Sequence, residues 1–253
     1  AKAAEYGVDM EMAALPLHAL SDDGEWVPHY MRGNWDKGEK EVELVCKMVR
    51  AAGEAGIPAI KYFLCEMENQ RTEAVPLGRG DVRYSTWDLS KADTDDQRWQ
   101  DKVSAEQNWE RVTFFLERVI PVAEEYKVRM ACHPCDPFLP PGYKGVDRVL
   151  GNFDGFRHFI DICPSDYHGL NLCLGCMAES VKNPREEVPN ILRYFGERKK
   201  IHLIHFRNIV GGQHRFQEVY PDEGDMDMFV LAQTLKEVGY PHMMVPDHAP
   251  QHD

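Results

Sequence analysis

Gly169-Leu170-Asn171-Leu172-Cys173-Leu174 alternates between apolar and polar side chains. The three leucines would share one face of an extended strand and Asn171 and Cys173 the other, because successive side chains of a strand point in opposite directions. Leucines that meet helices and polar groups that meet a site are typical of a strand in an α/β fold. The stretch therefore predicts a buried strand whose thiol points toward a site.

Three further apolar runs end in a side chain that can bind a metal. They are Lys127 to His133, Ile201 to Phe206 and His242 to Asp247, and with the first stretch they supply His133, Cys173, His205 and Asp247. Taken singly, each residue has an ordinary structural explanation, such as a hydrogen-bonded histidine or a small buried thiol. Their recurrence at equivalent positions favours a metal site, because a barrel of parallel strands directs its strand ends toward one point.

Length and composition fit one large α/β domain. The chain has 253 residues, 43% of them hydrophobic, and α/β barrels are commonly about this long. The net charge of -13 disfavours nucleic acid and anionic membranes as partners, since both require clustered Lys and Arg. Apolar runs stay shorter than the roughly 18 residues of a membrane span, and no signal peptide opens the sequence. We expect a cytoplasmic protein that binds a small molecule, and homo-oligomers are left open.

The cysteines predict reduced thiols. Seven of them are scattered along the chain, an odd number that does not resemble the disulfide framework of a secreted domain. Cys132-His-Pro-Cys135 and Cys173-Leu-Gly-Cys176 are CxxC pairs, which can hold structural zinc. That alternative is less favoured because both pairs begin inside apolar strands of a large domain.

The other elements alternate between strands and helices. Two more strands are predicted at Val8 to Leu15 and Ile57 to Leu64, and helices at Asp36 to Gly53, Trp109 to Tyr126 behind a capping box at Ser104 to Gln107, Phe153 to Ile162, Pro184 to Phe195, and Met226 to Val238. Cys65 to Ala92 is interpreted as an irregular loop that caps the site, and Gly211 to Gly224 as a second loop.

The six predicted strands are two fewer than a closed barrel of this type contains. We therefore interpret residues 1–253 as a single TIM (β/α)8 barrel domain, incomplete at both termini in this chain, which also starts without Met. A six-stranded open sheet with ligands along one edge is the alternative.

A set of ordered motifs resembles the mannonate dehydratase family. The motifs are Cys132 to Pro137 (CHPCDP), Leu172 to Gly175 (LCLG), His205 to Asn208 (HFRN), Gly224 to Met228 (GDMDM) and Pro246 to His248 (PDH). Lys61-Tyr62, Gly78 to Gly80 and Tyr84-Ser85 are similar to earlier segments of that family. HFRN followed by GDMDM at this separation is the most specific part of the resemblance.

The resemblance implies a xylose-isomerase-like barrel that holds one Mn²⁺ or Fe²⁺ ion through His133, Cys173, His205 and Asp247. It also implies a hydro-lyase of hexuronate catabolism, which dehydrates D-mannonate or a related sugar acid to 2-keto-3-deoxy-D-gluconate. The proposed acid/base histidine of the family falls on His248, for which a solvated histidine is the alternative. Ligand type alone favours Zn²⁺, because a thiolate with two imidazoles is a soft set of ligands.

Arg207 is predicted to act in catalysis and substrate binding. It shares the inward face of its strand with His205, and a guanidinium can hold a substrate carboxylate through two parallel hydrogen bonds. A salt bridge to Asp225 or Asp227 is its alternative role. The remaining predicted substrate-binding residues are Lys61, Arg79, Tyr84 and Asn208.

Two departures from the family pattern bear on activity. The last strand of the family usually reads Arg-Pro-Asp-His-Gly, whereas here Val245 takes the Arg position and Ala249 the Gly position, so that a cationic contact is lost. This loss favours a sugar isomerase or epimerase on the same barrel as the second hypothesis, and an inactive sugar-acid binding homologue is the third. The family also has a proposed catalytic tyrosine, which would follow Asp253.

Overall fold

The structure is a computed structural model that describes residues 2–17, 27–76, 79–94 and 102–248. Gly78 and Ala249, which entered the family resemblance, lie outside the described residues.

Strands of the described residues form two sheets. Numbered along the chain, they are β1 (Ala13–Ala14), β2 (Ala59–Phe63), β3 (Glu73–Pro76), β4 (Arg83–Asp88), β5 (Arg129–His133), β6 (His168–Cys173), β7 (Ile201–His205), β8 (Asn208–Gly212), β9 (Arg215–Val219) and β10 (Met244–Val245). One sheet has six parallel strands in the order β1-β2-β5-β6-β7-β10, and the other has four antiparallel strands in the order β3-β4-β9-β8. The parallel strands follow one another in chain order, as the successive βα units of a barrel do.

Helices connect the parallel strands. They are α1 (Lys2–Glu5), α2 (Trp35–Glu54), α3 (Ala105–Tyr126), α4 (Phe153–Ile162), α5 (Leu174–Glu179), α6 (Pro184–Glu197) and α7 (Met228–Glu237). The predicted capping box is present at the start of α3, where Ser104 Oγ accepts a hydrogen bond from the Gln107 backbone and Gln107 Oε1 accepts one from the Ser104 backbone. Among the described residues, no helix is both long enough and apolar enough to cross a membrane.

The core lies between the parallel sheet and these helices. The leucines predicted to face helices, Leu170, Leu172 and Leu174, are at most 1% exposed and belong to one continuous apolar cluster. Burial of each stabilises the fold by roughly 1.5 to 3 kcal/mol. Neighbouring helices also pack against each other, since the rings of Trp35 in α2 and Phe114 in α3 lie 4.8 Å apart.

The first predicted strand is much shorter than expected. Of the run Val8 to Leu15, only Ala13–Ala14 pairs with β2, and Val8 and Met10 are 56% and 50% exposed. Apolar residues here do not mark a strand because none of the described elements covers them.

The antiparallel sheet was not predicted, and the interpretation of Cys65 to Ala92 and of Gly211 to Gly224 as loops is wrong in part. β3 and β4 lie in the first segment, and β8 and β9 form a hairpin that reaches into the second. The two hairpins join through β4 and β9, where Trp87 pairs with Phe216. These strands carry charged and polar residues on a partly exposed sheet, so their sequence lacks the apolar runs of the parallel strands.

Helix α5 was also missed. It begins at Leu174, directly after β6, and all six of its residues are buried. A short, fully buried helix lacks a polar face, so its residues extend the apolar run of the strand and show no helical period.

Candidate metal centre

Four side chains from four strands meet at the carboxyl edge of the parallel sheet. His133, Cys173 and His205 end β5, β6 and β7, and Asp247 follows β10 by two residues. One ligand atom from each lies within 4.8 Å of the others. The structure thus brings together the four residues predicted as metal ligands.

Strand pairing explains why these side chains meet. Cys173 lies directly opposite His205 across β6 and β7, and Val245 lies opposite His205 on the other side. β5, β6, β7 and β10 are consecutive neighbours in the sheet, and their carboxyl ends lie at the same edge. The side chains then project from one edge, as predicted for parallel strands.

The two histidines present different ring nitrogens to the centre. His133 Nδ1 lies 2.7 Å from the carbonyl oxygen of Pro134, to which it donates a hydrogen bond, so its Nε2 is the nitrogen available to an ion. His205 Nε2 lies 3.0 Å from the side-chain amide of Asn171, which leaves Nδ1 available. Partners in the protein thus orient both rings, as is usual for histidines that bind metal.

The cluster carries opposite charges when it holds no ion. Burial alone would raise the pKa of the Cys173 thiol, but hydrogen bonds with Cys176, His133 and His205 and the charge of Arg207 lower this pKa well below the usual 9.0. Burial alone would lower the pKa of His205, but the nearby side chains of Asp247 and Cys173 raise it to about 9. Near neutral pH the His205 ring is therefore protonated, beside a thiol that ionises more readily than a free cysteine.

These residues fit a divalent ion. His205 Nδ1 is buried and makes no hydrogen bond within the described part of the chain, although Asp247 Oδ2 lies only 3.1 Å away. Cys173 Sγ lies 3.9 Å from the same oxygen. Two imidazole nitrogens, one thiolate and one carboxylate form a donor set that binds divalent transition metals.

Two further groups of possible metal ligands lie nearby, but arginines already neutralise the charges of their carboxylates. The groups are Asp136 with Cys176 and Glu179, and Asp136 with Glu218 and His248. Arg71 contacts both oxygens of Asp136 and Arg207 contacts one of them. The two positive charges occupy the place that a cation would take, so the cluster of His133, Cys173, His205 and Asp247 is the better metal site.

Arg207 does not face the cavity as the strand pattern predicted. It is 1% exposed and forms ion pairs with Asp136 at 3.1 Å, Glu179 at 2.7 Å and Glu218 at 2.9 Å. The alternative of a salt bridge to Asp225 or Asp227 is wrong too. Because three carboxylates surround the guanidinium, Arg207 has no accessible edge for a substrate carboxylate in this structure.

Three other predicted substrate-binding residues lie outside the cavity beside the metal ligands. Asn208 is buried, and its amide hydrogen-bonds the backbone of Pro221 and Met226. Arg79 pairs with Asp222 and Glu223 on the surface, and Tyr84 donates a hydrogen bond to Glu223. These contacts stabilise the antiparallel sheet and the segment that follows it.

Lys61 and His248 line a cavity of about 530 Å³ together with His133, His205 and Asp247. Lys61 is thus a cationic residue in the wall of a space large enough for a six-carbon sugar acid. His248 Nδ1 lies 2.7 Å from Glu218 Oε1. Burial alone would lower the pKa of His248, but the hydrogen bond with Glu218 raises it.

Asp136 and Glu218 lie near the site and were not predicted, and Asn171 was predicted only to share the site-facing side of its strand. Asn171 shares the face of Cys173 in the alternating stretch, so its position was foreseeable and its partner was not. Asp136 lies inside the CHPCDP motif, where its contact with Arg207 had no local signal. Glu218 belongs to β9, in a sheet that the sequence pattern did not reveal.

The expectation of reduced thiols is wrong for one pair of cysteines. Cys65 and Cys135 form a disulfide, with their Cα atoms 5.6 Å apart. Cys46, Cys132, Cys163, Cys173 and Cys176 are free. Since Cys135 is bonded to Cys65, the two CxxC pairs do not form a four-cysteine zinc site, which agrees with the lower weight given to that alternative.

Comparison with known proteins points to one family. The sequence profile described as D-mannonate dehydratase (UxuA) matches residues 84–252. A mannonate dehydratase from Thermotoga neapolitana is 34% identical over 149 residues, which are 58% of this chain and 40% of that protein. The chain thus spans less than half the length of this curated relative.

Solved structures show the same fold. The crystal structure of mannonate dehydratase from Streptococcus suis serotype 2 superposes with a TM-score of 0.81 at 24% identity. The superposition covers 96% of this chain and 68% of that one. A xylose isomerase-like TIM barrel protein from Mycobacterium smegmatis gives a TM-score of 0.52 at 14% identity, with 96% of this chain and 67% of that chain covered. The predicted xylose-isomerase-like barrel is confirmed, as a curled sheet with six of its strands.

Proposed function

Because this chain belongs to the D-mannonate dehydratase family, we propose that the protein removes water from D-mannonate or a related sugar acid to give 2-keto-3-deoxy-D-gluconate, a step of hexuronate catabolism. The observation that carries the proposal is the meeting of His133, Cys173, His205 and Asp247 within 4.8 Å at one wall of a cavity. A metal centre assists dehydration beside a carboxylate, because the proton next to a carboxylate is weakly acidic and its removal leaves negative charge to stabilise.

A divalent ion held by these four side chains supplies Lewis-acid stabilisation of the negative charge that develops next to the substrate carboxylate. The family resemblance favours Mn²⁺ or Fe²⁺ for this role, and the soft donor set favours Zn²⁺ as the alternative.

Lys61 binds the substrate carboxylate. Lys61 lines the cavity, whereas Arg207 is buried and neither Arg207 nor Val245 is among the lining residues. Lys61 therefore supplies a cationic contact that compensates for the arginine that Val245 replaces. A positive charge in the cavity favours a sugar acid over a neutral sugar as substrate.

His248 transfers a proton during dehydration. The reaction removes a proton from C2, which passes to solvent, and a hydroxyl from C3, which leaves as water with the proton that His248 donates. The resulting enol becomes the 2-keto group when C3 takes up a proton from solvent. Glu218 accepts the hydrogen bond of His248 Nδ1, so Nε2 is the nitrogen that delivers a proton to the departing hydroxyl. The raised pKa of His248 keeps more of the ring in the donating imidazolium form near neutral pH.

Arg207 acts from behind the site and does not contact the substrate. It joins Asp136, next to the His133 strand, to Glu218, the partner of His248. We therefore assign Arg207 the task of holding the proton-transfer residue in place.

Incubation of the protein with D-mannonate and Mn²⁺, Fe²⁺ or Zn²⁺, followed by a thiobarbiturate assay for keto-deoxy acids, tests the proposal. We expect product from the unaltered protein and a loss of about 100-fold or more in His205→Ala and His248→Ala, the range that metal and general-acid groups contribute. His158→Ala, on the exposed face of α4, is the control and should keep full activity.

Product formation at an unchanged rate in both site variants would contradict the proposal. If mannonate is inert and a neutral ketohexose is epimerised, the isomerase or epimerase hypothesis holds. Binding of mannonate without turnover under any of the three metals would favour the inactive binding homologue.

A further inference from the structure

Asn171 is a buried polar side chain beside the candidate metal centre whose purpose the ligand set leaves unexplained. It is 0% exposed, and its amide nitrogen lies 3.0 Å from His205 Nε2. Its oxygen Oδ1 makes no hydrogen bond to any of the described residues. A buried amide oxygen without a partner is costly and requires an explanation.

His205 also has a buried polar atom without a hydrogen-bond partner. Its Nδ1 is also buried without a hydrogen bond within the described ranges. A neutral imidazole carries one proton, so a metal at Nδ1 requires that proton on Nε2, where it must be donated to an acceptor. A primary amide exchanges its donor and acceptor by a half-turn about its last bond. This half-turn places Asn171 Oδ1 against Nε2, where it accepts the proton, and the Nδ1 lone pair is then free to bind an ion.

A β-bulge produces this contact. Leu170 pairs with Ile201 but Asn171 pairs with Leu203, so His202 of β7 has no counterpart on β6. Without the extra residue, Cys173 would lie opposite Ile204 and not opposite His205. Bulges redirect side chains next to functional sites, and this one brings His205 alongside both the thiol and the amide.

The chemistry of the side chain favours an amide over a carboxylate at this position. Cys173 and Asp247 already bring negative charge to the centre, and a third buried anion two residues before Cys173 would repel both. Asn171 accepts a hydrogen bond without adding charge. The other histidine needs no such residue, because the backbone carbonyl of Pro134 orients His133.

We propose that Asn171 is a positioning residue that fixes the tautomer of His205, by accepting the hydrogen bond of Nε2 so that the Nδ1 lone pair faces the ion. The inference rests on the proposed metal centre and adds to it a side chain that is not a ligand. Partners of this kind typically change metal affinity by about 10- to 100-fold when they are removed.

The test compares Asn171→Leu, which removes the acceptor, with Asn171→Asp, which keeps it. Zn²⁺ affinity is measured by competition with a chelator, and the ring-nitrogen shifts of His205 are measured by ¹⁵N NMR in the Zn²⁺-loaded protein. We expect Asn171→Leu to lose about 10- to 100-fold in affinity and to lose the single Nε2–H tautomer. Asn171→Asp should retain that tautomer. Asn108→Leu removes a buried amide in α3 that hydrogen-bonds the Asp147 backbone and contacts no candidate ligand, and it should leave both measurements unchanged.

Asn171→Leu that binds Zn²⁺ with unchanged affinity and tautomer would overturn the inference while leaving the metal centre intact. The unaltered protein provides a second test that does not depend on the folding of any variant. A Zn²⁺-loaded His205 that binds through Nε2, with its proton on Nδ1, would overturn the inference directly. Failure of the unaltered protein to bind Zn²⁺, Mn²⁺ or Fe²⁺ would overturn both this inference and the proposed function.

Discussion

Cys173 and His205 have pKa values shifted in opposite directions. The pKa of the Cys173 thiol is lowered and that of His205 is raised to about 9. An ion that binds His205 Nδ1 must displace the proton from that ring. Metal binding is therefore coupled to the release of a proton.

Metal affinity should rise with pH between about 6 and 8. The pKa of His205 is raised to about 9, so below that pH the ring is protonated and one proton must leave for each ion bound. Loss of one proton corresponds to about a tenfold gain in apparent affinity per pH unit, which flattens as the pH passes the pKa of His205. Chelator competition with Zn²⁺ at several pH values measures the slope.

An affinity that does not change over this range would show that His205 is already neutral or is not a ligand. The variant Cys163→Ser, which alters a thiol at the end of α4, is the control for the measurement and should have the slope of the unaltered protein.

Single residues were predictable where a repeated pattern marked them. His133, Cys173, His205 and Asp247 occupy equivalent positions in four strands, so the topology alone brings them together. Arg207 shares its strand pattern with His205, but a period of two ends with the strand, and β7 stops at His205. The direction of Arg207 was therefore beyond what the alternation could determine.

At the scale of elements, the antiparallel sheet supplies the carboxylate that contacts the proton-transfer residue, His248. β9 carries Glu218, which accepts a hydrogen bond from His248 and pairs with Arg71 and Arg207. Burial alone would raise the pKa of Glu218, but the hydrogen bond with His248 and the two arginines lower it. Glu218 is therefore ionised and can stabilise an imidazolium.

Glu218→Gln should shift the pH dependence of activity. Removal of the carboxylate charge removes what raises the pKa of His248, so the loss of activity at high pH, where the acid form disappears, should begin at lower pH. We also expect kcat/KM to fall by about 10-fold or more, within the range that general acid–base catalysis contributes. The pH profile of kcat/KM for dehydration is the measurement.

Glu223→Gln is the matched control for this change. Glu223 pairs with Arg79 on the surface and does not contact His248. The Glu223→Gln variant therefore loses a carboxylate charge elsewhere, and its pH profile should match that of the unaltered protein. If Glu218→Gln shows the same profile as Glu223→Gln, then Glu218 does not act on the proton-transfer residue.

Most elements around the barrel could be predicted because apolar runs and helix caps are local signals. Asn34 and Ser104 cap α2 and α3, and both helices were foreseen to within a few residues. The pairing of β4 with β9 joins residues more than 120 positions apart and has no local signal. The short buried helix α5 was not predicted for a different reason, because it lacks a polar face and so shows no helical period.

Taken as a whole, the described residues form a curled parallel sheet with β1 and β10 at its edges. The four candidate ligands come from β5, β6, β7 and the segment after β10, so a bound ion would join the edge strand to the centre of the sheet. Such an ion binds the folded chain and not the unfolded one, and it stabilises the fold in proportion to its affinity and concentration.

Anomalous X-ray scattering from crystals grown with Mn²⁺ or Zn²⁺ tests the central claim most directly. We expect one strong anomalous peak per chain at about 2.0 to 2.3 Å from His133 Nε2, Cys173 Sγ, His205 Nδ1 and an Asp247 carboxylate oxygen. A peak at Asp136, Glu218 and His248, or no peak within reach of Cys173 at saturating metal, would contradict the assignment of these four residues as the metal site.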